Sequence, residues 1–349
     1  MPSTIPKAVL YYSPASVWSA AVLLTLEEKG YADDEIDRKQ VNLAKGDNYD
    51  PTFLRLNAKA TVPTLVVPMQ NTLSDDMDSR YKALTETEAI VEFLDKSRSA
   101  MSRTHTTSAL PAPALAPATI AFSMKSKTII HYLHSELGNP NNLRYLNARD
   151  DASLRSLSAE LYPVFQQKQQ TLAQYITEAE EEKIHASVKT SNFWREKKSA
   201  VEVLLSVYEN GGKAESELDE DAKAQREEFF KEARKAWEVD LRDILIKVNS
   251  EIIGPYSLGD QFSVGDLHLA AWIARLVKLA GGTYEDDGQT AIGKLENHIG
   301  SGFALPKDFQ AEDGESKEAR PGYQSKLGAF WDAMRGRPSW NKVYGQGIY

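Results

Sequence analysis

The sequence predicts an α/β domain at the N-terminus joined to a larger all-α domain. Three observations predict it. Up to residue 97 the chain alternates short β-branched or alternating runs with helical patterns. From about residue 117 apolar residues recur at i, i+3 and i+4. Between the two, Leu110-Pro111-Ala112-Pro113-Ala114 admits no persistent α-helix. A chain of 349 residues fits two domains of roughly 150 residues each, and a 42% hydrophobic share is enough for a sizeable core. The expected boundaries are 1–97 for the α/β domain, 98–116 for the linker and 117–349 for the helical domain.

Lys7–Tyr12 reads as a first, buried strand, and Ser16–Gly30 as a helix with Gly30 in the C′ position. Glu35–Leu43 has the weaker alternation of a second strand through Ile36, Val41 and Leu43. A polar loop, Ala44–Asp50, precedes a short helix at Pro51–Leu56, where a proline is at ease in the first turn. Then comes Thr61-Val62-Pro63-Thr64-Leu65, a β-branched run broken by proline. Proline cannot donate to a sheet ladder, so it demands an edge, a bulge or a strand start. A cis Val62–Pro63 bond at the head of the strand meets that demand and turns the Val62 backbone outward, although only roughly 5–6% of such bonds in folded proteins are cis. An acidic loop from Asn71 to Arg80 reads as a solvated insertion. A short strand near Lys82–Leu84 runs into a helix at Thr87–Lys96.

Helical periodicity resumes at about Ala118 and runs to Leu137, ended by Gly138-Asn139-Pro140. Three or four helices are expected between Asp150 and Val248, with breaks near His185–Ser191 and at Asn210-Gly211-Gly212. Farther on, Ser263 and Asp266 are spaced as N-cap and N3 of a helix apolar enough to be buried, where loss of the cap should cost about 0.5–2 kcal/mol. Phe330-Trp331 through Trp340 reads as a closing helix.

Several function classes fall away. The net charge of −9 argues against nucleic acid as a partner. The absence of cysteine removes disulfides, thiolate metal sites and an enzyme-borne thiol nucleophile, and suits a cytoplasmic protein. No run of about 18 apolar residues exists to span a membrane, and Met1–Pro6 lacks the regions of a secretory signal. His131 and His134 stand i, i+3 on a helix, an arrangement explained more simply by one helix face than by a metal, so no metal is expected.

A strand, a Ser-Pro turn, a helix, a Val-Pro strand and a strand-to-Glu-Thr-helix junction, in this order, resemble the thioredoxin-like domain of glutathione transferases. The Ser263–Asp266 box and the closing helix resemble that family's helical domain. The resemblance covers about 7–96, 117–137 and 225–349. The stretch from about 140 to 222 has no counterpart in ordinary members and is expected to be an ordered helical insertion. The fold implied is an enlarged glutathione transferase, with glutathione as co-substrate in detoxifying attack on a hydrophobic electrophile. By this resemblance Val62, ahead of Pro63, pairs with the cysteinyl amide of glutathione, Glu86 takes its ammonium and Thr87 its γ-glutamyl carboxylate. Ser13, after the first strand and before Pro14, stands where the serine-type classes place their catalytic hydroxyl. Ser16 and Tyr12 are alternatives. Basic residues that relatives carry near this site are replaced by Asn48, Tyr49 and Thr61; the expected glutathione-binding set is Val62, Pro63, Glu86, Thr87, Lys59 and Asn48, with Lys59 or Lys45 left to reach the glycine carboxylate.

The same resemblance implies a homodimer, with the insertion extending the interface or roofing the electrophile cleft. A second reading is a non-catalytic member that keeps the fold as a ligand-binding, regulatory or scaffolding module.

Overall fold

The structure, a computed structural model, describes residues 7–69, 81–99, 107–310 and 323–347. The acidic loop expected from Asn71 to Arg80 and part of the linker lie outside these residues. Strand β1 (Ala8–Tyr12) runs parallel to β2 (Ile36–Gln40) and antiparallel to β3 (Thr64–Pro68), which pairs antiparallel with β4 (Tyr81–Leu84). The order across the sheet is β2-β1-β3-β4. Strand β2 stops at Gln40 rather than Leu43. The Asn42 side chain accepts from the backbone of Ala44 and Lys45, which folds the chain into a turn.

Helix α1 (Val17–Glu28) follows β1, α2 (Pro51–Leu56) precedes β3, and α3 (Thr87–Ser97) follows β4. Gly30 ends the first of these at φ +64, where an added Cβ would lie 2.7 Å from the Pro111 carbonyl oxygen. Only glycine suits both the backbone angle and the close approach of the later chain. Next to it, Lys29 is fully buried. Its Nζ donates to Asp95 Oδ1 at 2.8 Å and to the Pro113 carbonyl. The Asp95 carboxylate also accepts from the Leu115 and Ala116 amides, so α1, α3 and the connecting chain meet in one buried ionic knot.

The rest of the described chain is helical: α4 (Ile120–Leu133), α5 (Pro140–Tyr145), α6 (Asp151–Glu180), α7 (Val188–Glu209), α8 (Glu220–Arg234), α9 (Leu241–Glu251), α10 (Val264–Leu279), α11 (Gly288–Ile299), α12 (Lys326–Arg335) and α13 (Pro338–Tyr344). A π-helical stretch, Lys235–Asp240, joins α8 to α9. Helix α4 ends before Leu137 because the Ser135 hydroxyl takes the Tyr132 carbonyl, the acceptor that a continuing helix would give to residue 136. The buried helix α10 begins as expected, with Asp266 Oδ2 accepting from the Ser263 amide at 2.7 Å and from its hydroxyl at 2.8 Å.

One core runs through both regions, from Leu10 and Leu65 of the sheet and Leu24 of α1 to Trp272 of α10 and Trp331 of α12. At the far end of the chain, Arg337 and Ser339 bond the Glu28 carboxylate of α1. A second core lies under the insertion. There α6 and α7 pack as a helical hairpin around Leu161, Phe165, Leu172 and Trp194, and Tyr49 and Ala60 of the first region enter it. Most of the insertion's apolar residues are therefore covered by each other and by the chain around α2, while Val188 and Val203 of α7 stand exposed.

Candidate active site

The sheet topology gathers every candidate segment at one end. Tyr11 pairs with Thr64, and Leu65 with Leu84. The turn leaving β1, the Val62–Pro63 approach to β3 and the Thr85–Thr87 exit from β4 therefore share an edge. Parallel pairing of Tyr12 with Gln40 brings the chain after β2 to the same end.

Ser16 is the N-cap of α1: its hydroxyl accepts from the Ser19 amide at 3.2 Å and donates to the Val62 carbonyl at 3.3 Å. It is half-buried. Ser13, three residues earlier, is 4% exposed, and its carbonyl accepts from the Ser16 amide. Tyr12 packs against the main core. Of the three hydroxyls the sequence singled out, only that of Ser16 bonds the Val-Pro turn. The Val62–Pro63 bond is cis, as expected. Val62 lies outside the β1–β3 ladder, and Asn57 Nδ2 steadies the turn by donating to the Thr61 carbonyl at 2.8 Å and to Thr64 Oγ1 at 3.0 Å.

Thr87 is the buried first residue of α3. Glu86, in the N-cap position, makes no side-chain bond to the helix. Among the described residues no side chain caps the first-turn amides of α3, where the helix dipole favours an anion. The Glu86 side chain is 62% exposed and pairs with Lys59 at 2.5 Å. Asn48 does not face the cleft. It is 7% exposed, its Nδ2 donates to the Ala60 carbonyl at 2.9 Å, and its Oδ1 has no partner among the described residues. The Lys45 amide donates to Asn42 Oδ1, and its carbonyl accepts from Thr171 Oγ1.

Other groups were not foreseen. His134 stacks on Trp18 with ring centroids 3.8 Å apart, and its Nε2 lies 2.9 Å from Nδ1 of His268. His268 is 1% exposed, and its burial, with His134 beside it, lowers its pKa to about 3. The ring carries no charge near neutrality. Trp18 and His134 each occupy a helix face that the sequence marks only as amphipathic. Nothing in their spacing brings them together.

Residues 15–97 match the family described as the glutathione S-transferase N-terminal domain. The chain is 41% identical over 64 residues to a tetrachloro-p-hydroquinone reductive dehalogenase of Sphingobium chlorophenolicum, a match covering 18% of this chain and a quarter of that protein's length. Among solved structures it is similar to glutathione transferase Omega 3C from Trametes versicolor, with 16% identity, 97% of this chain and 90% of that one covered, and a TM-score of 0.47. It is also similar to glutathione transferase F2 from Populus trichocarpa, with 13% identity, 96% of both chains covered and a TM-score of 0.46.

Proposed function

We infer that this chain, whose residues 15–97 belong to the glutathione S-transferase N-terminal domain family, is a glutathione transferase acting on hydrophobic electrophiles. The observation that carries the reading is the Ser16 hydroxyl, held at the α1 N-terminus against the Val62 carbonyl. The uncapped start of α3 stands at the same end of the sheet.

In this reading the γ-glutamyl carboxylate takes the α3 amides and the Thr87 hydroxyl. Glu86 exchanges Lys59 for the ammonium, and Lys59 is left for the glycine carboxylate. The cysteinyl segment adds to Val62 as an antiparallel strand. Its N–H takes over the Val62 carbonyl, and the freed Ser16 hydroxyl turns to the sulfur. A thiol of pKa about 8.5 is only a few per cent ionised at pH 7. A hydroxyl donor and the α1 dipole both favour the thiolate. The thiol releases its proton to solvent; the thiolate then gives its electron pair to an electrophilic carbon, the C–S bond forms, and the leaving group departs with the electrons of the bond it breaks. The stacked Trp18 and His134 rings offer an aromatic platform for that electrophile. Ser16 takes the role first expected of Ser13, and Asn48 leaves the ligand set.

We further propose a cytoplasmic homodimer. No described helix is long and apolar enough to cross a membrane. On α4, Ile120 and Met124 stand 82% and 66% exposed one turn apart, an apolar face for a second copy.

Retention on immobilised glutathione, with turnover of a chromogenic aryl halide, tests the activity. Ser16→Ala is expected to keep its affinity for glutathione and lose about ten- to hundredfold in turnover, the worth of one hydrogen bond to a charged group at about 1.5–3 kcal/mol. Full activity in Ser16→Ala with loss in Ser13→Ala or Tyr12→Phe transfers the role. A wild-type protein that neither binds nor turns over is the non-catalytic module, a reading favoured by the Lys59 ammonium already on Glu86.

A further inference from the structure

The chain from Asn42 to Thr61 walls one side of the candidate site, since Lys59 reaches Glu86 and Asn48 ties the loop to Ala60. The wall has little regular structure of its own, although Asp50 caps its helix and Asn57 bonds the Thr61 carbonyl. It holds one 3-10 turn (Asp47–Tyr49) and the six-residue helix α2. A helix of that length is marginal without tertiary packing, and the wall's inward cluster is the small group Val41, Phe53 and Val62.

The insertion grips it from outside. Trp194 of α7 is fully buried, and its Nε1 donates to the Tyr49 carbonyl at 3.0 Å. Tyr175 of α6 stacks on the same indole with centroids 5.3 Å apart. Thr171 Oγ1 donates to the Lys45 carbonyl at 2.9 Å, beside Gly46 at φ +79. An added Cβ on Gly46 would lie 3.1 Å from Thr171 Cγ2, so the loop and α6 are in direct contact. Two backbone carbonyls of this segment are thus bonded by side chains more than a hundred residues away.

We propose that the α6–α7 hairpin is a clamp that holds the 44–61 wall in its ligand-ready shape, with Trp194 as the positioning residue. The insertion then sets affinity for the carboxylate end of the ligand and leaves the chemical step alone. This rests on the glutathione reading for the identity of the ligand, but the clamp itself is measurable without one.

Hydrogen–deuterium exchange of the full chain decides it, comparing wild type with Trp194→Phe, which keeps a ring against Tyr175 and removes the donor. Faster exchange confined to peptides within 44–61, with the sheet and α10 unchanged, is expected. In steady-state assays Trp194→Phe should raise the glutathione KM about tenfold, the order of one lost buried hydrogen bond, with kcat within twofold. Thr171→Val should act in the same direction by less. Unchanged exchange across 44–61 overturns the clamp, and so does faster exchange spread over the whole chain, or a fall in kcat with KM unchanged. A wild type that binds no glutathione sinks the functional reading alone, because the exchange pattern still stands for or against the clamp.

Discussion

Replacing Asp266 by alanine tests how much of the helical region hangs on one carboxylate. Spacing alone made Asp266 the N3 partner of a capping box, with an expected cost of about 0.5–2 kcal/mol. The structure raises that figure. Asp266 is fully buried, and besides the Ser263 amide and hydroxyl it accepts from the Ser257 amide at 2.7 Å. Ser257 and Ser263 are themselves fully buried, so water cannot take over. Alanine leaves two buried backbone donors without an acceptor, at about 1–3 kcal/mol each. The hydroxyl of Ser263 can still turn to Ser257 Oγ, 3.3 Å away. Relief of burying an ionisable carboxyl offsets part of the loss. The expected net effect is about 3 kcal/mol, a large fraction of the roughly 5–15 kcal/mol that holds an ordinary domain folded. Urea unfolding followed by tryptophan fluorescence measures it, the midpoint falling at constant m. A loss below about 1 kcal/mol would refute the reasoning, since Asp266 would then be worth no more than a cap in contact with solvent.

Two further outcomes are expected. His268 has its pKa lowered from 6.5 to about 3 by burial and by His134. The unfolded chain therefore binds a proton at 6.5 that the folded chain refuses until about pH 3. The associated stability is complete above pH 6.5 and drains as pH falls, by about 1.4 kcal/mol per unit. Asp266, its pKa raised mainly by burial, works in the opposite sense, so His268→Gln is the clean control. Between about pH 7 and pH 5 the wild type should lose about 2 kcal/mol more than the variant, and equal losses would refute the assignment. For the second copy, light scattering should return a dimer for the wild type and a monomer for Met124→Glu. A dimer in both moves the interface away from α4.

The order of elements was legible because local signals agreed with one another: Gly30 after an apolar helix, Asp50-Pro51 before a short one, Val62-Pro63 at a strand head. The choice between Ser13 and Ser16 was not. A four-residue turn offers both hydroxyls, and which of them caps α1 and bonds the Val62 carbonyl is decided by where the first helical turn closes, a matter of one or two residues. The insertion showed its apolar stripes plainly, but a stripe does not name what covers it. Here the cover is another stretch of the same chain. Lys29 misleads in a different way: a lysine in the last turn of a helix reads as a solvated charge, and only the later arrival of Asp95 and Pro113 makes a buried site for it. Trp18 and His134 belong to the same class, since partners more than a hundred residues apart leave no periodicity to read.

The grip of Arg337 and Ser339 on Glu28 has a consequence for the order in which the protein can be made. Helix α1 packs against α10 and α13 as well as against α3, and 309 residues separate Glu28 from Arg337. During synthesis the sheet and α3 cover one side of α1 early, but the flank that meets α10 and α13 waits for chain more than 200 residues later. The helix whose N-terminus Ser16 caps completes its packing only once α13 is in place. A nascent chain stalled short of α13 carries a complete set of candidate site residues on an unfinished support.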